Sequence, residues 1–350
     1  MKILFIVTTR YHMGCALDIF ACLKQRAYCD VAAIGVALKK DQTFVSESAK
    51  YMGGEVVLST EENGRLNKFR DLMFLFYRLF FNLEKNRYDQ IVVFSPSLIS
   101  ARYRLENPNA TVYLGEDGTG SYSGLILNRF AYFDYSLQRK TLAAKLFKCV
   151  FRSKVFLNPS GIYVYQPEAI NFDYPFVVKK ISRKSETNEL IRKSMDEIGI
   201  DSRCTRAVFI GQHYQELGIN STNMGEIFEA NRIFANNFSY RKHPRDEWTP
   251  ENIELNNAKD WEVLCETVSE DSVFISLGST ALQSPKYLYD KEPYIILTYK
   301  MHPEISYGFI QSFELLGQTL KKLYRNNHKV IVPENMDEYS LILDQIKYER

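Results

Sequence analysis

The stretch 272-SVFISLGSTALQ-283 contains a short apolar run, then a glycine, then small hydroxyl residues that open a helical pattern. A strand that passes through a glycine into a helix is typical of α/β proteins, in which helices cover a parallel sheet. Strands of such a sheet are buried on both faces, so they are continuously apolar rather than alternating. The same order of strand and helix recurs along the chain.

Nine short apolar runs are predicted to be strands. They are 2–9, 30–36, 91–95, 111–115, 206–211, 237–242, 272–278, 293–299 and 329–333. The helices predicted from apolar spacing are 15–25, 42–52, 65–86, 222–235, 261–268, 280–288, 309–325 and 335–347. This alternation predicts an α/β protein with two Rossmann-like domains that face a cleft.

The length of 350 residues also favours two domains over one core. Prolines and a polar run, 182-SRKSETNE-189, make the middle of the chain irregular. We therefore predict an N-terminal domain over 1–160, an interdomain connection over 161–204 and a C-terminal domain over 205–350.

The bulk composition excludes several classes of protein. A net charge of +2 and a pI of about 8.1 give no reason to expect a nucleic acid partner. The six cysteines form no CxxC pair and no metal-ligand spacing, as expected for thiols in a reducing compartment. The apolar N-terminus is too short and too β-branched for a signal peptide, and charges interrupt the most apolar window, 69–81. We expect a cytoplasmic protein, and the sequence leaves a homodimer open.

The segment 129–156 carries seven basic residues against one acid, interleaved with Phe and Leu. This pattern predicts either a basic amphipathic helix on the inner face of an anionic membrane, or a helix packed on the sheet with its charges in water.

Ligands of open parallel sheets bind beyond the carboxyl ends of the strands, so residues that follow strands are candidates for the site. The motif 116-EDGTG-120 places Glu116 and Asp117 after one predicted strand. A carboxylate beside a second one in a partly desolvated site can act as a general base near neutral pH. Gly118 and Thr119 follow the acids, and the glycines, Gly115 included, make this backbone permissive. The alternative is an ordinary Asp-Gly turn.

A histidine surrounded by cations follows a strand of the second half. His243 lies in 240-YRKHPRD-246 with Arg241, Lys242, Pro244 and Arg245. Such a cluster favours an anionic ligand, and the histidine could protonate a leaving group. A plain surface histidine at a turn is the alternative.

Two further strand ends are candidates for phosphate binding. Gly278, Ser279 and Thr280 form a turn that opens a helix, where amides and hydroxyls bind phosphate or cap the helix. Gly211 and Gln212 begin a second loop, which also contains His213 and Glu216. The chain has no GxGxxG, Walker A, HExxH, GxSxG or DxD motif, so no cofactor or metal is expected.

Together these motifs resemble the bacterial sialyltransferases. The order of 116-EDGTG-120, 243-HPR-245 and 278-GSTAL-282 is similar to glycosyltransferase family 52, the lipooligosaccharide sialyltransferases, and to the capsular polysialyltransferases. The resemblance spans both halves of the chain.

The resemblance implies a GT-B architecture, CMP-sialic acid as donor, a glycan acceptor, inversion at the anomeric carbon and no metal. His243 would then assist departure of CMP, and Ser279 and Thr280 would hold the phosphate or the donor carboxylate. The residues expected near the donor are Gly211, Gln212, Arg241, Lys242, Pro244, Arg245 and Gly278. Glu116 or Asp117 would deprotonate the acceptor, with Glu216 as a rival base. Gly118 and Thr119 would lie on the acceptor side, where the glycines, Gly115 included, let a sugar approach the backbone.

Three other functions stay open at this point. One is a CMP-polyol phosphotransferase of the teichoic-acid type, and another is a different nucleotide-sugar glycosyltransferase of the GT-B type. The third is a scaffold for glycan assembly that has kept the fold without activity. Product mass separates the two transferases, because sialic acid differs in mass from a polyol phosphate.

Overall fold

The computed structural model describes residues 1–23, 27–35, 38, 41–60, 85–139, 159–194, 206–219, 224–243, 248–250, 253–255 and 260–348. Contacts divide the chain into a first unit, Met1–Ser194, and a second unit, Met195–Arg350. Each unit contains one parallel β-sheet with helices in the connections between its strands.

The first sheet is built from seven strands among the described residues. They are β1 (Lys2–Val7), β2 (Tyr28–Ile34), β3 (Val56–Thr60), β4 (Gln90–Val93), β5 (Thr111–Leu114), β6 (Gly161–Val164) and β7 (Val177–Lys180). Their order is β3-β2-β1-β4-β5-β6-β7, and every neighbouring pair is parallel. The interior strand β1 is buried from Ile3 to Val7, which explains its unbroken apolar sequence.

The described helices of the first unit lie in the connections between strands. They are α1 (Arg10–Cys22), α2 (Gln42–Tyr51), α3 (Leu98–Glu106), α4 (Leu125–Arg139) and α5 (Ser185–Lys193). Helix α1 begins directly after β1 because the Thr9 hydroxyl accepts a hydrogen bond from the His12 backbone N–H at 3.1 Å. The sequence predicted that this helix begins near residue 15, whereas in the structure it begins at Arg10 and includes His12.

The second sheet is built in the same way. Its described strands are β8 (Ala207–Ile210), β9 (Phe238–Arg241), β10 (Glu254–Leu255), β11 (Val273–Ser276), β12 (Tyr294–Leu297) and β13 (Val330–Ile331), in the order β10-β9-β8-β11-β12-β13. All neighbouring pairs are parallel. The helices are α6 (Tyr214–Leu217), α7 (Gly225–Asn231), α8 (Trp261–Leu264), α9 (Ser284–Tyr289), α10 (Tyr307–Leu323) and α11 (Met336–Tyr348).

Both sheets contain the strand order of a Rossmann-like domain, which confirms the predicted fold class. The order reverses between β1 and β4 in the first sheet and between β8 and β11 in the second. These reversals are the topological switch points at which open α/β sheets bind their ligands.

All nine predicted strands are present, and the described residues contain four further strands that were not predicted. These are β3, β6, β7 and β10. The stretch 161–194, predicted as part of a connection, contributes β6, β7 and α5 to the first unit. Its edge strand β7 has no fully buried residue, so it lacks the apolar run by which the other strands were recognised.

Two predictions fall largely on residues outside the described ranges. These are the helix over 65–86 and the part of the basic segment from 140 to 156; α4 covers the segment up to Arg139. None of the helices in the described ranges is both long enough and apolar enough to span a bilayer.

Candidate functional site

The acid motif lies at the carboxyl end of β5, one strand away from the switch point of the first sheet. Gly115 follows the strand, and a Cβ at this position would collide with the ring of Phe94, which follows β4. This glycine therefore makes room for an aromatic ring beside the acid motif. The two acids that follow have very different surroundings.

Glu116 is fully buried and is held by three donors, one from the turn that follows it and two from distant parts of the first unit. Its Oε1 accepts from the Tyr11 hydroxyl at 2.5 Å, and its Oε2 accepts from the Tyr122 hydroxyl at 2.5 Å. The Tyr165 backbone N–H, just after β6, donates to the same Oε2 at 2.8 Å. Burial raises the pKa of Glu116 to about 7, although these hydrogen bonds and the charge of Arg183 act in the opposite direction.

Asp117 lies beside Glu116 but is partly exposed, with 22% of its side chain accessible. Its Oδ1 lies 3.0 Å from His12 Nε2, and its Oδ2 accepts from Arg129 Nη1 at 2.5 Å. The other ring nitrogen of His12, Nδ1, lies 2.8 Å from the hydroxyl of Thr8. A hydroxyl, an imidazole and a carboxylate thus form one hydrogen-bonded chain.

The turn after the acids fixes their positions. Gly118 adopts a positive φ of 63° and begins a 3₁₀ turn, Gly118–Ser121, that also contains Thr119. The Ser121 hydroxyl accepts from the Asp117 backbone N–H at 2.8 Å. The Asp-Gly turn of the alternative interpretation is therefore present, and it carries the acid pair.

Two histidines lie together at the carboxyl edge of the second sheet. His243 follows β9 and His213 follows β8, and their ring centroids are 6.2 Å apart. His213 Nδ1 lies 3.5 Å from a carboxylate oxygen of Glu216, which is exposed on α6. The structure therefore brings His243 and the rival base Glu216 to the same region of the second unit, joined by His213.

The residues predicted to lie near the donor surround these histidines along neighbouring strands. Arg241 ends β9, with its guanidinium carbon 5.4 Å from the Trp261 ring centroid, and burial lowers its pKa. Lys242 Nζ donates to Thr249 at 3.2 Å. Gly211 and Gln212 follow β8, and the Gly211 N–H donates to the Arg241 carbonyl at 2.8 Å. Pro244 and Arg245 lie outside the described residues.

The small-residue turn follows β11, directly at the switch point of the second sheet. Gly278 is required because a Cβ would collide with the Phe313 ring. Ser279 caps the following 3₁₀ turn, Thr280–Gln283, by accepting from the Ala281 N–H at 3.3 Å. Thr280 is exposed, whereas Ser279 is partly buried. Capping is therefore present, and it leaves the hydroxyl of Thr280 accessible to a ligand.

Sequence reasoning missed the side chains that surround the acid motif. Tyr11, His12 and Tyr165 reach it from separate parts of the first unit, whereas Tyr122 lies only six residues after Glu116. The one local indication was 8-TTRYH-12, a polar stretch directly after a buried strand. Within the described ranges, no group of three or more His, Cys, Asp or Glu side chains is arranged to hold a metal ion.

The model of the alpha-2,8-polysialyltransferase family (POLYST) matches residues 58–292, which is more than half of the chain. The chain belongs to this family. The match confirms the resemblance to bacterial sialyltransferases, and the matched range includes the acid motif, His243 and the Ser279–Thr280 turn. A comparison with curated proteins found no significant match.

Solved structures similar to this polysialyltransferase-family chain include other glycosyltransferases. The glycotransferase of kitacinnamycin shares 11% identity, with 99% of this chain and 90% of that chain covered and a TM-score of 0.54. Spinosyn forosaminyltransferase SpnP shares 11% identity, with 99% of each chain covered and a TM-score of 0.49. The UDP complex of S. aureus MnaA shares 13%, with 99% and 96% covered and a TM-score of 0.45. The first of these similarities supports a GT-B fold for this chain.

Proposed function

We propose that this polysialyltransferase-family protein transfers sialic acid from CMP-sialic acid to a surface glycan, with inversion and without a metal. The observation that carries the proposal is the family match over residues 58–292, because it includes all three motifs that the resemblance assigned to the reaction. The carboxyl edges of both Rossmann-like sheets carry these motifs, as expected for ligand-binding residues.

The second unit holds the donor in this proposal. Loss of CMP from a tertiary anomeric carbon leaves an oxocarbenium-like centre, so the main task is to stabilise a departing phosphate. His243, Arg241 and Lys242 supply positive charge or protons at the end of β9. Ser279 and Thr280 supply hydroxyls after β11. A preorganised donor of this kind contributes about 3 kcal/mol to the stability of the transition state.

The first unit binds the acceptor, and the surroundings of the two acids divide their roles. Glu116 is fully buried and bonded to two tyrosine hydroxyls, so it supports the site from the interior. Asp117 is partly exposed and belongs to the basic group that acts on the acceptor hydroxyl. Glu216 lies in the second unit beside His213, and we assign it to the donor side.

The acceptor is either a galactoside, as the lipooligosaccharide resemblance implies, or a sialic acid at the end of a growing chain. The second candidate is favoured by the matched family, whose description specifies an alpha-2,8 linkage. The same site chemistry serves both acceptors, because each presents a sugar hydroxyl to the base.

One experiment tests the donor, the acceptor and the independence from metal together. Purified protein is incubated with CMP-sialic acid and either a lactoside or an α2,8-linked oligosialic acid, with and without EDTA, and the products are analysed by mass spectrometry. We expect addition of sialic acid to one acceptor at a rate that EDTA does not change. Transfer of sialic acid to neither acceptor, or strict dependence on Mn²⁺, would contradict the proposal.

A further inference from the structure

A hydrogen-bonded chain joins the end of β1 to the acid motif of the first unit. Thr8 Oγ1 lies 2.8 Å from His12 Nδ1, and His12 Nε2 lies 3.0 Å from Asp117 Oδ1. Thr8 is adjacent to the switch point between β1 and β4, where an open sheet binds its ligand. This series of hydrogen bonds therefore leads from the expected ligand position to a carboxylate.

The hydrogen bonds of Thr8 assign the tautomer of His12. The Thr8 backbone N–H donates to His12 Nδ1 at 3.4 Å, so Nδ1 is an acceptor. The proton of the neutral ring is then on Nε2, where it is donated to Asp117. In this state Nδ1 can take one more proton, and Asp117 is placed to stabilise the imidazolium that results.

The ring of His12 is held rigidly and is shielded from solvent. It is 3% exposed and stacks on Phe94, with ring centroids 4.9 Å apart and planes at 18°. Phe94 can occupy that position because Gly115 has no side chain. Thr8 and Asp117, at the two ends of this series of hydrogen bonds, are both partly exposed. The imidazole is therefore shielded from an acceptor sugar, whereas the residues at the two ends of this series of hydrogen bonds are partly accessible.

The charge of Asp117 is already engaged by its neighbours. One carboxylate oxygen faces His12 and the other accepts from Arg129 at 2.5 Å. A carboxylate held in this way orients and stabilises a cation, as in the hydroxyl–imidazole–carboxylate groups of hydrolases. An imidazole is also the side chain whose ordinary proton affinity suits a base near neutral pH.

We infer that Thr8, His12 and Asp117 form the proton-accepting group for the acceptor, an inference that rests on the proposed function. Thr8 contacts the acceptor hydroxyl, and His12 is a positioning residue that acts through Thr8. As the acceptor oxygen bonds to the anomeric carbon and the bond to CMP breaks, the acceptor proton passes to Thr8 Oγ1. The proton of Thr8 passes to His12 Nδ1, and Asp117 stabilises the imidazolium.

The test compares Thr8→Val, which keeps the branched shape and removes the hydroxyl, with Thr8→Ser, which keeps the hydroxyl. Transfer is measured at saturating CMP-sialic acid over a range of acceptor concentrations. We expect Thr8→Val to lower kcat by about 10²-fold or more with little change in the KM for acceptor. Thr8→Ser is expected to restore most of the rate. Equal rates in the two variants, whether high or low, would overturn the inference.

His12→Gln provides the second arm, because glutamine can still donate an N–H to Asp117 but cannot take a proton. We expect its kcat to fall as far as that of Thr8→Val, while CMP still binds. A rate close to that of the unchanged protein would show that His12 only orients Asp117 and would overturn the relay. If the unchanged protein does not turn over CMP-sialic acid at all, the proposed function fails and the inference fails with it.

Discussion

At the scale of single residues, the two neighbouring acids show why a motif alone does not define roles. Glu116 is enclosed by Tyr11, Tyr122 and the backbone of Tyr165, whereas Asp117 is partly exposed beside His12. The sequence predicted that the pair ends a buried strand. It could not separate the two acids, because their partners are up to 105 residues away along the chain.

The buried carboxyl of Glu116 gives the first prediction, a change of stability with pH. Its pKa is raised from 4.5 to about 7 by burial, so between these values the folded protein retains a proton that the unfolded chain releases. Stability therefore falls as pH rises from 4.5 to 7, by about 3 kcal/mol from this group.

Glu116→Gln removes the titration and keeps the shape of the side chain. Urea unfolding midpoints at pH 5 and pH 7.5 are compared for the two proteins, and we expect a smaller decrease with pH in the variant. The same pH dependence in both proteins would show that Glu116 does not titrate in this range.

At the scale of secondary structure, burial explains most of the strands that the sequence revealed. The predicted strands contain runs of buried apolar residues, such as Val273–Ser276, whereas the edge strand β7 reads VVKK and has two exposed residues. The two-residue strand β10 is too short for any pattern. Burial does not explain β6, whose residues Gly161–Val164 are all buried; the stretch 161–194 was predicted to be a connection because of its prolines and polar run, although it adds β6, β7 and α5 to the first unit.

A buried ion pair fixes that stretch to the first helix and gives the second prediction. Asp18 of α1 is fully buried and lies 3.1 Å from the guanidinium Nε of Arg183, just before α5. It also accepts from the Thr187 hydroxyl at 2.7 Å and the Lys184 N–H at 3.0 Å. Asp18→Asn leaves the charge of Arg183 buried without its counter-ion and is expected to cost about 3–5 kcal/mol of stability.

The matched control for this change is Glu168→Gln, which removes an exposed ion pair with Lys180 in the same stretch. Exposed pairs contribute at most about 1 kcal/mol, so this control is expected to unfold almost like the unchanged protein. Thermal unfolding measures both variants. A loss in Asp18→Asn no larger than in the control would mean that the buried pair does not hold α5 in place.

At the scale of the whole molecule, the sequence predicted the class of fold and the sheet edges that carry the motifs. The reason is physical, because a parallel sheet exposes its ligand-binding residues at the carboxyl ends of continuous apolar strands. His243 and His213 follow the adjacent strands β9 and β8, so their proximity is of the kind that a sequence can predict. The hydrogen bonds that link Thr8, His12 and Asp117 could not be predicted, since α1 was expected to begin beyond His12.

The proposed assignment of the donor to the second unit and of the acceptor to the first gives the last prediction. If the second unit holds the nucleotide, His243→Ala should weaken CMP binding by about 10-fold or more, because a hydrogen bond to a charged phosphate contributes about 1.5–3 kcal/mol. His328→Ala is the matched control, since His328 is an exposed histidine of the same unit in the turn before β13.

Asp117→Asn, in the first unit, should also leave the Kd for CMP unchanged while it lowers transfer. Titration calorimetry with CMP measures all three variants. Equal affinity for CMP in His243→Ala and His328→Ala would contradict the role of His243 at the phosphate. Weaker CMP binding in Asp117→Asn would contradict the separation of donor and acceptor residues between the units.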